Sequence, residues 1–131
     1  MTLIFCIDER CGIAFNGRRQ SRDTAVCEDV LRSLNGTRLE TSAYSAPLFY
    51  EMADVAIVNS PSDGGAYFCE LCDPEPLIGR SDTVILYKWN RIYPSDVKFT
   101  ASLSHLGFTL CESVDISGRS HEKITKETYR K

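Results

Sequence analysis

Two short runs carry more polar chemistry than a fold requires. Arg18-Arg19-Gln20-Ser21-Arg22-Asp23 follows an apolar segment that ends on Asp8, and Arg119-Ser120-His121-Glu122-Lys123 lies near the other end of the chain. A third segment, Trp89-Asn90-Arg91-Ile92-Tyr93-Pro94-Ser95-Asp96, adds aromatic rings and amides. Together these offer cations for a phosphate or carboxylate (Arg18, Arg19, Arg91) and groups that orient a ligand (Gln20, Ser21, Asn90), with Trp89 for stacking. That set suits a small anionic or nucleotide-like ligand. The competing reading is a solvated face in which Arg18, Arg19 and Arg22 pair with Asp23, Glu28 and Asp29. His121 is the histidine with other reactive types beside it, so it is the candidate general acid or base, with Arg18 or Lys123 stabilising an anion as in a metal-independent phosphodiesterase. Adjacent residues on a strand point to opposite faces, so Ser120, His121 and Glu122 cannot all serve one site. Asp8 is either a site acid or a partner for Arg10.

These side chains need elements to hold them. The run Leu3 to Ile7 is short, apolar and bounded by turn residues, which reads as a strand buried on both faces. Polar groups at the carboxyl end of such a strand lie where open α/β sheets place ligands. The stretch from Gly12 to Asp23 reads as a loop. Asp23 or Thr24 caps a helix with apolar Val26, Val30, Leu31 and Leu34, stopped by Asn35-Gly36. Arg38 to Tyr44 is a weaker strand, and Ser45-Ala46-Pro47 opens a short helix through Phe49. Asp54 to Asn59 reads as another buried strand, followed by Ala66 to Leu71. Thr83 to Tyr87 is the most apolar strand. Val97 to Thr100, Gly107 to Glu112 and Lys123 to Tyr129 complete the chain, the last two alternating like antiparallel edge strands. The order predicts one α/β domain over residues 1–131, with few helices and a mixed, mostly parallel sheet that ends in an antiparallel hairpin.

Composition narrows the function classes. A chain of 131 residues can bury a sizeable core. Its net charge of −3 argues against a general electrostatic grip on nucleic acid. No apolar run approaches the roughly 20 residues that cross a bilayer, so we expect no membrane partner. Met1 leads into a strand without a signal-peptide pattern, and the expected location is the cytoplasm. Cys6, Cys27 and Cys111 sit in apolar patterns and read as small buried hydrophobes. Cys69 and Cys72 form one CxxC that lacks a second pair or nearby histidines, so a structural role is expected rather than a metal site.

The opening strand followed by CGIAFNG, together with SDTVILYKWNRIYPSDVKF, GFTLCES and a closing ETYRK, resembles dihydrofolate reductases. In those enzymes a glycine-rich substrate loop follows the first strand and a hairpin closes the sheet. The resemblance implies a shortened version of that fold, with the loss in the middle where the cofactor would lie. A gapless reading puts the family's substrate-binding acid on Val26. Asp23, the second candidate catalytic group, takes that place if the loop is shorter by three residues. The family's phosphate-gripping G-R-x-T falls on Ser42-Ala43-Tyr44-Ser45, where Ser45 remains as a helix cap and the arginine is lost. The family's Gly-Gly should follow the strand at 66 to 70, whereas Gly64-Gly65 precede it. The resemblance with these departures implies a domain that binds a small anionic or heterocyclic ligand, with no cofactor and without NADPH-dependent folate reduction.

The segments NGRRQSRD and SGRSHEKITKE are also similar to short clostridial proteins often labelled ribonuclease Z, although the chain has none of the HxHxDH metal motif that name needs. The alternatives are a divergent NADPH-dependent reductase, a metal-independent ribonuclease using His121, or an interaction protein that docks through an edge strand, including a homodimer through the final hairpin.

Overall fold

A computed structural model describes residues Met1 to Lys131. Its strands are β1 (Thr2–Ile7), β2 (Gly12–Phe15), β3 (Arg18–Arg19), β4 (Leu39–Thr41), β5 (Ala56–Ile57), β6 (Ala66–Phe68), β7 (Thr83–Lys88), β8 (Val97–Lys98), β9 (Thr109–Ile116) and β10 (Ile124–Arg130). Two helices, α1 (Thr24–Ser33) and α2 (Glu75–Ile78), and a 3-10 turn at Ala46–Phe49 complete it. The main sheet has seven strands in the order β5-β4-β6-β1-β7-β10-β9. From β5 to β7 all pairs are parallel, and β10 joins β7 and β9 antiparallel. This is the mixed, mostly parallel sheet with a C-terminal hairpin that the element order predicts.

β1 lies centrally because both its faces are apolar, and alternate residues feed two cores. Ile4 joins Val26, Val30, Phe49, Phe68 and Trp89 on the side of α1. Leu3, Phe5 and Ile7 join Ile13, Phe99 and Phe108 on the other side. Each such side chain contributes about 1.5–3 kcal/mol when fully buried. α1 begins at Asp23, whose carboxylate accepts the Ala25 N–H at 2.8 Å. It is tied to the sheet through Asp29, which accepts from the Tyr87 hydroxyl at 2.7 Å and pairs with Lys126 at 2.9 Å.

Three local expectations are corrected. The residues from Gly12 to Arg19 form the β2–β3 hairpin rather than a loop, turning at Asn16 and Gly17 with φ of 52° and 70°. Two successive positive φ values fit a primed hairpin turn, which an Asn-Gly pair favours. With β8 this hairpin makes a separate three-stranded sheet. The Asp54 to Asn59 strand shrinks to Ala56–Ile57 at the sheet edge, where nothing lies beyond it and Ile57 is 54% exposed. Cys111 is exposed, because β9 pairs only with β10 and no layer covers either of its faces. Cys69 and Cys72 are joined as a disulfide at the end of β6. No helix is long and apolar enough to cross a membrane.

Candidate functional site

The two polar runs meet. The loop from Ser117 to Lys123 between β9 and β10 folds over the amino terminus of α1, and Asp23 is the point of contact. Its Oδ2 accepts the N–H groups of Arg119 at 2.8 Å, Ser120 at 2.9 Å and His121 at 3.1 Å. Nδ1 of His121 lies 3.2 Å from the same oxygen. Both side chains are out of solvent, at 0% exposure for Asp23 and 2% for His121. Burial pushes the Asp23 carboxyl upward, but the Arg119, Ala25 and Ser120 N–H groups and the His121 ring outweigh it and hold its pKa well below the carboxylate range. Gly118 permits this approach, since a Cβ there would collide with the His121 carbonyl and stand 2.6 Å from Asp23 Oδ2.

An ionised carboxylate only accepts, so in a neutral His121 ring a proton on Nδ1 satisfies Asp23 and leaves Nε2 with a lone pair; the Ser120 hydroxyl also lies 3.2 Å from Nδ1. Ser21 Oγ lies 3.0 Å from Nε2, and the Tyr93 hydroxyl lies 2.9 Å from it. Trp89 stacks on the imidazole with centroids 4.5 Å apart and fixes its plane. The ring is thus oriented on every side.

A second buried carboxylate organises the β1 end. Asp8 accepts the N–H groups of Gly12 at 2.7 Å, Arg10 at 2.8 Å and Tyr93 at 3.0 Å, and the Gln20 amide at 3.1 Å. Burial raises its pKa, the Tyr93, Gly12 and Arg10 N–H bonds lower it more, and the net shift is downward. Gln20 also donates to the Pro94 carbonyl at 3.3 Å, while its Oε1 is a buried side-chain oxygen with no partner.

The other candidates are distributed as follows. Arg19 is half-buried and forks onto Glu70 at 2.9 and 3.0 Å, and Glu70 accepts from Ser45 at 2.7 Å. Ser45 occupies the N-cap position of the 3-10 turn, but its hydroxyl donates to Glu70 and makes no cap bond to the turn. The expected pairing of the arginines with Asp23, Glu28 and Asp29 is also different, since Asp23 serves main-chain donors, Glu28 binds Arg119 and Asp29 binds Lys126. Trp89 is buried against His121. Asn90, at φ 59°, donates to the Lys123 carbonyl and Thr125. Arg91 is exposed, and its carbonyl accepts the Glu9 N–H. Arg18 is exposed and makes no ion pair.

Three hollows lie near these residues, and Ser21 lines the smallest of them. A groove of about 520 Å³ runs between α1, the Pro47-Leu48 turn and the Arg119-Ser120 segment, with Arg22 and Glu51 on its walls. A pocket of about 10 Å³ adjoins it, sharing Arg22, Asp23, Cys27 and Leu48 and adding Ser21 and Trp89. On the hairpin side, a groove of about 270 Å³ is lined by Phe15, Asn16, Arg18, Gln20, Tyr93 and Pro94, among others.

No protein-family model matches the chain, and no curated protein matches it. Among solved structures it is similar to dihydrofolate reductase from Enterococcus faecalis complexed with NADP(H) and RAB-propyl, with a TM-score of 0.69 at 11% identity over 98% of this chain and 94% of that one. The fold is dihydrofolate reductase-like. Within it, Glu70 follows the β6 strand, and the Arg19–Glu70–Ser45 bridge crosses the space between the hairpin and the Ala46–Phe49 turn. Glu70 and the placement of Tyr93 beside His121 were not read from the sequence. Tyr93 sits inside the aromatic segment already singled out, which is a signal for it, whereas nothing in AYFCEL marks Glu70.

Proposed function

We propose that this reductase-like domain binds a small anionic ligand with an aromatic or heterocyclic part, in the groove between the β2–β3 hairpin and Tyr93-Pro94. The observation that carries this reading is the contrast between neighbours: Arg19 is neutralised by Glu70, while Arg18, on the same strand, has no carboxylate partner. A lone guanidinium beside aromatic surfaces suits a phosphate or carboxylate attached to a ring. Phe15, 47% exposed, and Tyr93 supply those surfaces. The unpartnered Gln20 Oε1 supports a ligand that also brings an N–H or O–H, since a buried acceptor left unpaired costs about 1–3 kcal/mol.

The residues present do not fit NADPH. Glu70 sets a carboxylate beside the carboxyl end of β6, where the resemblance would bring the pyrophosphate, and Ser42 to Ser45 supply no cation. This supports binding without NADPH-dependent folate reduction.

The test is thermal unfolding with nucleoside monophosphates, aromatic carboxylates, inorganic phosphate, folate analogues and NADPH. Ligand at a hundred times its Kd adds about 2.7 kcal/mol, a rise of several degrees in a domain of this size. A ring-bearing anion should raise Tm in the native chain and not in Arg18→Ala. A response to NADPH, or an anion response untouched by Arg18→Ala, would overturn the reading.

A further inference from the structure

We propose that Ser21 is a nucleophile, activated by His121 as base, that cleaves short-chain carboxylic esters, with Asp23 as the positioning residue of the histidine. The three side chains form one line of contacts: Ser21 Oγ to His121 Nε2 at 3.0 Å, and His121 Nδ1 to Asp23 Oδ2 at 3.2 Å. Serine is a weak nucleophile until an adjacent base takes its proton, and the base works only in the tautomer that leaves the facing nitrogen bare. Asp23, as a pure acceptor 3.2 Å from Nδ1, favours that tautomer, and Trp89 stacks on the ring and holds its plane.

The imidazole itself is buried, but Ser21 is half-exposed and lines the pocket of about 10 Å³ that joins the large groove. The pocket has room for about one water, which is also about the size of a methyl group, so only an acetyl methyl could enter it with the carbonyl left at its mouth beside Ser21. The alcohol half would lie in the groove of about 520 Å³, beside Arg22, which makes no ion pair.

In the first step the Ser21 Oγ–carbon bond forms as its proton passes to His121 Nε2. The Tyr93 hydroxyl lies 2.9 Å from Nε2 and 3.4 Å from Ser21 Oγ; once Nε2 takes the serine proton it no longer accepts from Tyr93, whose hydroxyl can then donate to the oxygen that gains charge. The ester C–O bond then breaks, and the departing alkoxide takes the proton from Nε2 as the alcohol. Water repeats the sequence on the acyl-serine, releasing the carboxylic acid and restoring the Ser21 hydroxyl. No metal or redox partner enters the balance.

The experiment mixes the full chain with p-nitrophenyl acetate, quenches in acid and maps the acetyl group by peptide mass spectrometry. We expect a burst of p-nitrophenol and an acetyl group on Ser21. p-Nitrophenyl octanoate should give neither. His121→Gln should slow acylation by at least about 100-fold, the scale of a lost general base. Ser21→Ala should abolish the burst with its circular dichroism unchanged, and Ser21→Cys should restore acylation as a thioester, which a purely structural role for Ser21 would not produce. Asp23→Asn should lower the burst rate and change its pH profile while the acetyl group still lands on Ser21. Acetylation confined to other residues, equal rates in Ser21→Ala, or equal rates in His121→Gln would overturn the proposal.

Discussion

Asp8 and Asp23 are the same device used twice. Each is a buried aspartate that gathers main-chain N–H groups from segments far apart in the chain, and in each the hydrogen bonds overcome burial and keep the carboxyl ionised. The difference lies in the last donor. Around Asp8 the side-chain donor is the Gln20 amide, which does not titrate, so the cluster fastens the β1 end and stops there. Around Asp23 the side-chain partners are the Ser120 hydroxyl and an imidazole whose far nitrogen meets a half-exposed hydroxyl. One cluster ends in structure, and the other reaches the surface with a proton acceptor. Buried carboxylates alone therefore do not distinguish the two clusters; the group each one holds does.

The comparison breaks most visibly at Asp23 itself. Asp23→Ala removes the cap of α1 and leaves several buried donors without an acceptor, for an expected loss of about 4 kcal/mol. Urea unfolding would measure it, and a loss below that of Asp8→Ala would contradict the ranking. Next is Gly118→Ala, at about 3 kcal/mol, because the atom in the way is a main-chain carbonyl that cannot rotate aside. Asp8→Asn should cost about 2 kcal/mol and leave Ser21 acetylation unchanged in its position.

Acid sharpens the contrast. Both folded pKa values are depressed, so each carboxylate contributes its full stability above the unfolded value near about 4, and loses it as pH falls toward the folded value. The slope is at most about 1.4 kcal/mol per pH unit for each group. Unfolding midpoints between neutral and acid pH should fall less steeply in Asp23→Asn than in the native chain. Gly12→Ala should cost about 2 kcal/mol, similar to Asp8→Asn, because its new Cβ would meet the Gln20 amide at 2.5 Å, displacing it from Asp8, and Ser95 Cβ at 2.8 Å, which moves only with its backbone.

Much of the sheet was legible because β1 and β7 are short, apolar runs with turn residues at both ends, a pattern that depends on nearest neighbours alone. The β2–β3 hairpin was also marked, by Asn16-Gly17, but its strands are too short for periodicity to show. Ile57 and Cys111 have apolar neighbours and were read as buried. Their exposure follows from strand order, which local sequence does not encode. His121 and Asp23 were singled out separately as reactive types. Their meeting joins positions 98 apart, and the Arg19–Glu70 pair joins positions 51 apart. Contacts of that range are set by how the sheet closes, and no motif announces them.

The place of β10 bears on the order in which the molecule can be made. During synthesis β9 emerges first, yet its sheet partner is β10, and β10 also connects it to β7. Until residues 124–130 are available, β9 has no ladder to join and the β7 flank of the nascent sheet stays open. Asp23 waits as well: it can cap its own helix while still in water, but its bond to Arg119 spans 96 positions. Such long closures are slow, because chain entropy must be lost before the contact rewards it. Ribosome-bound chains that stop before β10 should therefore carry a formed α1 and an unfinished sheet, leaving the His121 arrangement among the last parts of the molecule to assemble.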